Sequence, residues 1–251
     1  MNAAGVSGDP YGLSSQGRRE MLGFRRLAIA AAFALASGCA ALAADDTKPS
    51  DPNPPVNPKI ELARGDQWTY EVKDDITDEL RVILNLAVTD VTDSEIDVRA
   101  RYTVVATNVE TTGVQVFDQN WRQKENGVTI CRPACPETGI PADIEVGKAW
   151  SYSFESSKIT APANFKFAGK AKVVSWERVA VANGLSFDAF KLVFDSAVTP
   201  VVNNRKWEQH VELWYAPAAN RYVKRRLETR QNGKLVEATV ETLRDYHRRE
   251  K

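Results

Sequence analysis

The sequence predicts a mostly β protein, a long curved antiparallel sheet or half-barrel built from two meander-like halves. Three observations predict it. Apolar residues recur with period two through most of the chain. Turn chemistry interrupts these runs at short intervals. The skeleton G-x-x-W-x-Y occurs twice, at Gly65 in "GDQWTYEV" and at Gly147 in "GKAWSYSF".

The first segment is not part of that sheet. Residues 1–43 end in "RRLAIAAAFALASGCAALA", where Arg25 and Arg26 precede an apolar run too short to span a bilayer and small residues follow it. This is the build of an export signal, with cleavage after Ala43 and a mature chain beginning at Ala44. Met21 would give a leader of ordinary length, and Arg18-Arg19 would act as a twin-arginine motif only if translation begins at Met1. "LASGCA" has the outline of a lipoprotein signal, in which Cys39 would carry the lipid, although Ala36 stands where leucine is usual. The expected location is therefore periplasmic or secreted, membrane-anchored if Cys39 is lipidated, with no transmembrane span in the mature chain.

Residues 44–59, containing "DDTKPSDPNPPVNPK", have almost nothing to bury and read as a disordered Pro-rich tether. Residues 60–251 then form a single antiparallel β domain, large enough for a real core. Lys+Arg and Asp+Glu are both 33, and losing the leader removes more arginines than acids. Nucleic acid is thus excluded as a partner on charge and compartment together.

Within the domain Trp68, Tyr70 and Val72 alternate with polar residues, as do Ile96, Val98, Ala100, Tyr102 and Val104. Trp150, Tyr152 and Phe154 repeat the pattern, and so do Val236, Ala238 and Val240 against Glu237, Thr239 and Glu241. Each run reads as a strand with one buried and one wet face. The turns fall at 90–94, 125–127, 182–184 and 231–233. After each G-x-x-W-x-Y the order of strand, turn and strand is the same, which favours two related halves. A shared way of opening an aromatic strand, and a pair of carbohydrate-binding aromatics, stay open as alternatives.

"VSWERVAVANGLSFDAFK" at 174–191 and "WYAPAANRYVK" at 214–224, with the two G-x-x-W-x-Y openings, resemble a widespread group of uncharacterised secreted β-proteins of Gram-negative bacteria. Glu177, Val179, Val181, Gly184, Phe187 and Ala189 match the group's hairpin, whereas Ala182-Asn183 stands in place of its Pro-Ala. The resemblance implies a long antiparallel sheet curled like the periplasmic lipoprotein carriers, and implies no activity or catalytic residue.

Such a sheet has an inner face on which Trp68, Tyr70, Trp150, Tyr152 and Trp214 are the candidate ligand-binding residues. The sharpest polar cluster is Glu208, His210 and Glu212, which share one strand face opposite Trp207, Gln209, Val211 and Leu213. It has the residue types of an acid–base or metal site but lacks a second histidine nearby, so a solvated face is the simpler reading. Cys131 and Cys135 in "CRPAC" lack redox spacing and read as a short disulfide bracing a loop. "DDITDE" lacks the glycine and ligand spacing of a calcium loop. The basic run "RYVKRRLETR" sets Lys224 and Arg226 on one face and Arg221 and Arg225 on the other, a solvated face or an anionic-lipid patch. No hydrolase, phosphate-loop or dinucleotide motif is present. The expectation is a non-enzymatic envelope protein, without cofactor or metal, that binds a lipid or apolar small molecule. The alternatives are an accessory envelope component acting through protein partners and, with less support, an enzyme centred on Glu208, His210 and Glu212.

Overall fold

Twelve antiparallel strands close into a barrel in which each strand pairs with its sequence neighbours and the first pairs with the last. The structure is a computed structural model and describes residues 49–55, 61–160, 164–201 and 206–249. The leader 1–43, including Met21 and Cys39, and the flanks of the 44–59 tether lie outside the described residues. The strands are β1 (Gln67–Asp74), β2 (Leu80–Val91), β3 (Ile96–Val104), β4 (Val109–Phe117), β5 (Gln123–Glu125) and β6 (Thr129–Cys135). They continue as β7 (Ala149–Lys158), β8 (Asn164–Ala180), β9 (Ser186–Pro200), β10 (Trp207–Ala216), β11 (Arg221–Gln231) and β12 (Lys234–His247). Among the described residues the helical elements are short 3₁₀ turns at Pro136–Thr138, Ala182–Gly184 and Pro217–Ala219.

Closure corrects the expected open half-barrel. β1 takes β2 on one side and β12 on the other, with Trp68 opposite Tyr246 and Val72 opposite Glu241. Pairing the first strand with the last leaves no sheet edge, and so no unpaired row of backbone donors and acceptors. Alternation along a strand specifies its faces but not its neighbours, so this contact across the whole chain has no local signature.

The two G-x-x-W-x-Y openings have matching geometry. Gly65 and Gly147 both adopt positive φ, 99° and 94°, where a side chain would be strained. Each glycine N–H donates to a valine carbonyl at 2.9 Å, Val88 and Val173 respectively. Those valines donate back at 2.9 Å to the residues after the glycines, Asp66 and Lys148. Immediately beyond each valine the register shifts, between Val88 and Asp90 on β2 and between Val173 and Ser175 on β8. The repeated sequence skeleton thus builds one repeated device, a glycine-terminated loop locked onto a bulged second strand.

Inside and outside follow the predicted faces for most strands. Trp68, Tyr70, Val72, Ile96, Val98, Ala100 and Phe154 are buried, while Arg99 and Arg101 point outward. Strand β12 is the exception. Thr239, Glu241 and Leu243 are buried and Val236 is exposed, so the expected inward face of this strand is reversed. The cause is inside the barrel, where Glu241 accepts from Tyr222 Oη at 2.6 Å and from Arg225 Nη1 at 3.0 Å. Charged residues such as Arg99 and Arg101 stand outside, while the lumen holds apolar residues together with the Glu241–Arg225 pair. No helix among the described residues is long and apolar enough to cross a membrane.

Candidate functional site

The lumen is filled differently at its two ends. At the end where β1 begins, three aromatic rings and a cation make a closed packing. Trp68 donates its Nε1–H to Ala219 O at 2.9 Å and meets Trp121 edge to face, with centroids 5.5 Å apart. Tyr70 Oη donates to Tyr222 O at 2.7 Å. Arg221, only 2% exposed, lies with its guanidinium 4.2 Å from the Trp121 ring, 4.8 Å from Phe117 and 5.6 Å from Trp68. Its Nε and Nη1 have no hydrogen-bond partner among the described residues, and ring faces stand where this cation would otherwise hold water. The long β8–β9 hairpin reaches the end of β12, where Phe187 packs against Tyr246 and Asn183 donates to Arg244 O at 3.2 Å. Ser50 and Asp51 lie on the same hairpin: Ser50 N–H donates to the Asp188 carboxylate at 3.0 Å and Trp176 donates to Asp51 O at 2.8 Å.

A loop residue forms the floor in the middle of the lumen. After the Cys131–Cys135 disulfide the chain runs along residues 120–123: Ile140 N–H donates to Asn120 O and Thr138 Oγ1 donates to Trp121 O, both at 2.9 Å. Gly139 is required here, because a Cβ would collide with the backbone of Asn120–Arg122. This path carries Glu137 inside, where it accepts from Tyr152 Oη at 2.8 Å and Ser196 Oγ at 3.1 Å. Burial raises the Glu137 pKa, opposed in turn by the Tyr152 hydrogen bond, the Arg225 charge and the Ser196 hydrogen bond. Tyr152 is pushed up as well, by burial first and then by the Glu137 charge. Gly169, opposite both Tyr152 and Ser196 in register, leaves the space that the Tyr152 ring fills. Thr229 lies opposite Gln209 on the same row, and its buried hydroxyl has no hydrogen-bond partner among the described residues.

Beyond this floor the lumen wall is aromatic and accessible. Strand register puts Phe154, Phe167, Val198 and Trp207 in one inward row, with Phe165 and Pro200 in the next. Phe154 stacks on Phe167 with centroids 4.3 Å apart, and Phe165 meets Trp207 at 5.6 Å. Phe154 and Val198 are buried, but Phe165, Phe167 and Trp207 are half-exposed although they face inward. Inward-facing rings that solvent reaches mark the mouth of the barrel.

The structure separates the five aromatics singled out in the sequence. Trp68 and Tyr70 are core residues of the closed end. Trp150 and Tyr152 face the lumen and keep partial exposure, each ring within about 6 Å of Phe194, at 6.1 and 6.0 Å. Trp214 is on the outer face. There its Nε1–H donates to Glu177 Oε1 at 2.8 Å, and Lys191 and Lys224 lie 4.7 and 5.1 Å from its ring. Glu177, Trp214 and Lys224 come from the two stretches that carry the family resemblance, so those stretches meet as one packing node.

Glu208, His210 and Glu212 do share a face, and it is the outer one. His210 Nδ1 is 2.7 Å from Asp195 Oδ1, and Glu212 pairs with Lys191 at 2.5 Å and Arg226 at 3.9 Å. Glu208 and His210, but not Glu212, border an open depression with Asp195, Glu228 and Arg230. No group of His, Cys, Asp or Glu among the described residues has the geometry of a metal site. In the "DDITDE" turn Asp74 accepts from the N–H groups of Ile76 and Thr77 at 2.9 Å, and the Thr77 bond is the main cause of its lowered pKa.

The lumen's polar residues had weak signals. Glu137 sits in a loop rich in proline and glycine, which reads as solvated. Arg225 shares an alternating face with Leu227, a signal that its charge obscures. Nothing local sets Ser196 apart.

Fold and lumen together define a closed up-and-down barrel, blocked at one end by a hairpin and an internal loop and aromatic at the other. A solved structure of a candidate lipoprotein from Parabacteroides distasonis is similar to this chain at TM-score 0.51 and 13% identity, covering 78% of this chain and 100% of its own. A candidate exported protein with a YmcC-like fold from Bacteroides fragilis is similar at TM-score 0.49 and 15% identity, over 76% and 99% of the two chains. The hypothetical lipoprotein YmcC of Escherichia coli is similar at TM-score 0.38 and 12% identity, over 76% and 90%. At such identities the likeness to the Parabacteroides protein is one of fold. No family model matches the chain. No curated protein matches it.

Proposed function

We propose that this protein is a non-enzymatic component of the bacterial envelope that holds the apolar chain of a lipid-like ligand in the mouth of its barrel. The observation that carries this reading is the set of inward-facing, half-exposed aromatics Phe165, Phe167 and Trp207 above a polar floor. Apolar walls with a few convergent polar groups are the usual composition of a small-ligand site. From Phe165 to Gly169 the wall runs about 13 Å, which suits a short acyl chain better than a long one. Tyr152, Ser196 and Thr229 offer hydroxyls at the bottom, so a ligand entering tail first would meet them with its chain end and leave its polar head at the rim. An envelope location rests on the export signal read in residues 1–43 and agrees with what the similar solved proteins are described as.

The test is decanoate binding followed by tryptophan fluorescence, with native mass spectrometry of protein purified from a bacterial periplasm. Trp207→Ala and Phe167→Ala each weaken binding by about tenfold, the loss of roughly one buried ring contact. Trp214→Phe, on the outer face, leaves affinity unchanged. Absence of saturable decanoate binding together with a bare native mass would overturn the proposal.

A further inference from the structure

The exposed aliphatic side chains are distributed unevenly. Among the described residues, eight of the twelve large apolar side chains that stand exposed are at the mouth end; five of the six connections there, or the strand residue that borders them, carry at least one, and at the sixth Leu235 and Val236 stand on the first turn-proximal residues of β12. Scattered exposed aliphatics need no explanation. Eight gathered around a single opening do.

The two halves of this ring differ in charge. Ile76, Val109 and Val128, on the β1–β6 half, stand among Asp75, Asp78, Glu79, Glu110 and Glu125. On the other half Ile159 (48% exposed), Val201 (55%), Val236 (57%) and Leu235 stand near three lysines, with Glu208 and Glu237 the acids next to them in sequence. Lys158 adjoins Ile159, Lys234 adjoins Leu235, and Lys206 precedes Trp207 at the mouth. None of these three lysines has a carboxylate partner among the described residues, whereas Lys73 and Arg81 pair with Asp78 and Asp74 within the β1–β2 hairpin, and Arg226 on β11 pairs with Asp75 of that hairpin. The basic half is also the half whose inner wall holds Phe165, Phe167 and Trp207. The described start of the domain, Ser50–Asp51, lies against the β8–β9 hairpin at the opposite end, so the mouth is clear of it.

We infer that the β7–β12 half of the rim seats on an anionic phospholipid surface, with Ile159, Val201, Leu235 and Val236 entering the headgroup layer and Lys158, Lys206 and Lys234 meeting lipid phosphates. This deepens the ligand-binding reading and rests on it, because the seated rim is where an acyl chain would pass between bilayer and lumen. Aliphatic insertion beside a few lysines is the general chemistry of reversible attachment to a membrane surface, and its basic part weakens with salt.

The experiment is flotation of the protein with vesicles of phosphatidylethanolamine and phosphatidylglycerol, against vesicles of phosphatidylcholine alone. Wild type floats with the anionic vesicles and is released as sodium chloride rises. Ile159→Asp/Val236→Asp reduces partitioning by about tenfold or more, and Lys158→Glu/Lys234→Glu does the same without touching an apolar residue. Ile76→Asp/Val109→Asp, on the acidic half, leaves it unchanged. Five of these six positions are exposed and Lys158 is partly so, at the end of β7, so the urea midpoints of all three pairs, measured alongside, stay close to the wild-type value. Decanoate binding in free solution, measured in parallel, separates the two ideas. Protein that binds decanoate but ignores anionic vesicles overturns the membrane inference alone. Protein that floats but never binds decanoate overturns the ligand reading alone. Equal loss in the acidic-half pair, or concentration-dependent self-association abolished by Ile159→Asp/Val236→Asp in place of flotation, would show that the rim meets something other than lipid.

Discussion

Two strand glycines allow a direct test of how the lumen floor is built. At Gly169 an added Cβ would press into the carbonyl of Asp195 and come within 2.8 Å of the Tyr152 ring carbon and hydroxyl. At Gly113, on β4, the nearest atom would be Asn126 O at 4.0 Å. The nearest contact is the Asp195 carbonyl, held in the sheet, so the backbone there must shift as well as the Tyr152 ring. Gly169→Ala should therefore cost about 1–3 kcal/mol of overpacking. Displacing Tyr152 from Glu137 adds about 1 kcal/mol for the lost hydrogen bond. The sum, about 2–4 kcal/mol, should lower Tm by roughly 5–15 °C in a domain of this size. Gly113→Ala should stay within about 0.5 kcal/mol of wild type. The assay is urea unfolding with the m-value held constant, which separates a change in stability from a change in unfolded-state compactness. A second measurement isolates the hydrogen bond: Tyr152→Phe should cost about 1 kcal/mol in the wild-type background and much less after Gly169→Ala. Equal midpoints for the two glycine variants, or equal costs of Tyr152→Phe in both backgrounds, would refute this account of the floor.

Two further predictions concern the buried charges. Burial raises the Glu137 pKa above its unfolded value, so the folded protein binds the proton more tightly than the unfolded chain. Its contribution to stability is then fully present below the unfolded pKa and is lost as pH rises through the folded one. Glu137→Gln keeps an acceptor for Tyr152 and Ser196, so it should match wild type near about pH 4 and be the more stable protein near neutrality; a gap independent of pH would contradict this. Arg221→Met should unfold within about 1 kcal/mol of wild type or above it, since a flexible apolar side chain can fill the ring cage without the cost of a buried cation. Arg221→Ala should lose about 3 kcal/mol by leaving that cage empty, and equal losses in the two variants would show that the guanidinium itself is needed.

The sequence by itself determined the strands, their faces and the repeated opening. Trp68-x-Tyr70 and Trp150-x-Tyr152 point inward because residues two apart on a strand must share a side. Gly65 and Gly147 end their loops because positive φ excludes most other residues at low cost. Glu208, His210 and Glu212 fall together by the same arithmetic. Only the tertiary structure decided which side of the sheet became the inside of a barrel. It put that polar trio outside and Arg225 and Glu241 inside, reversing the apolar phase of β12. It closed β1 onto β12, and it sent Glu137 from a loop into the lumen to meet Tyr152 and Ser196. Local alternation records that a strand has two faces, while the identity of its neighbours depends on chain closure over the full length of the domain. The residues that distinguish the plugged end from the mouth are brought together by that closure, so no window of the sequence contains the site.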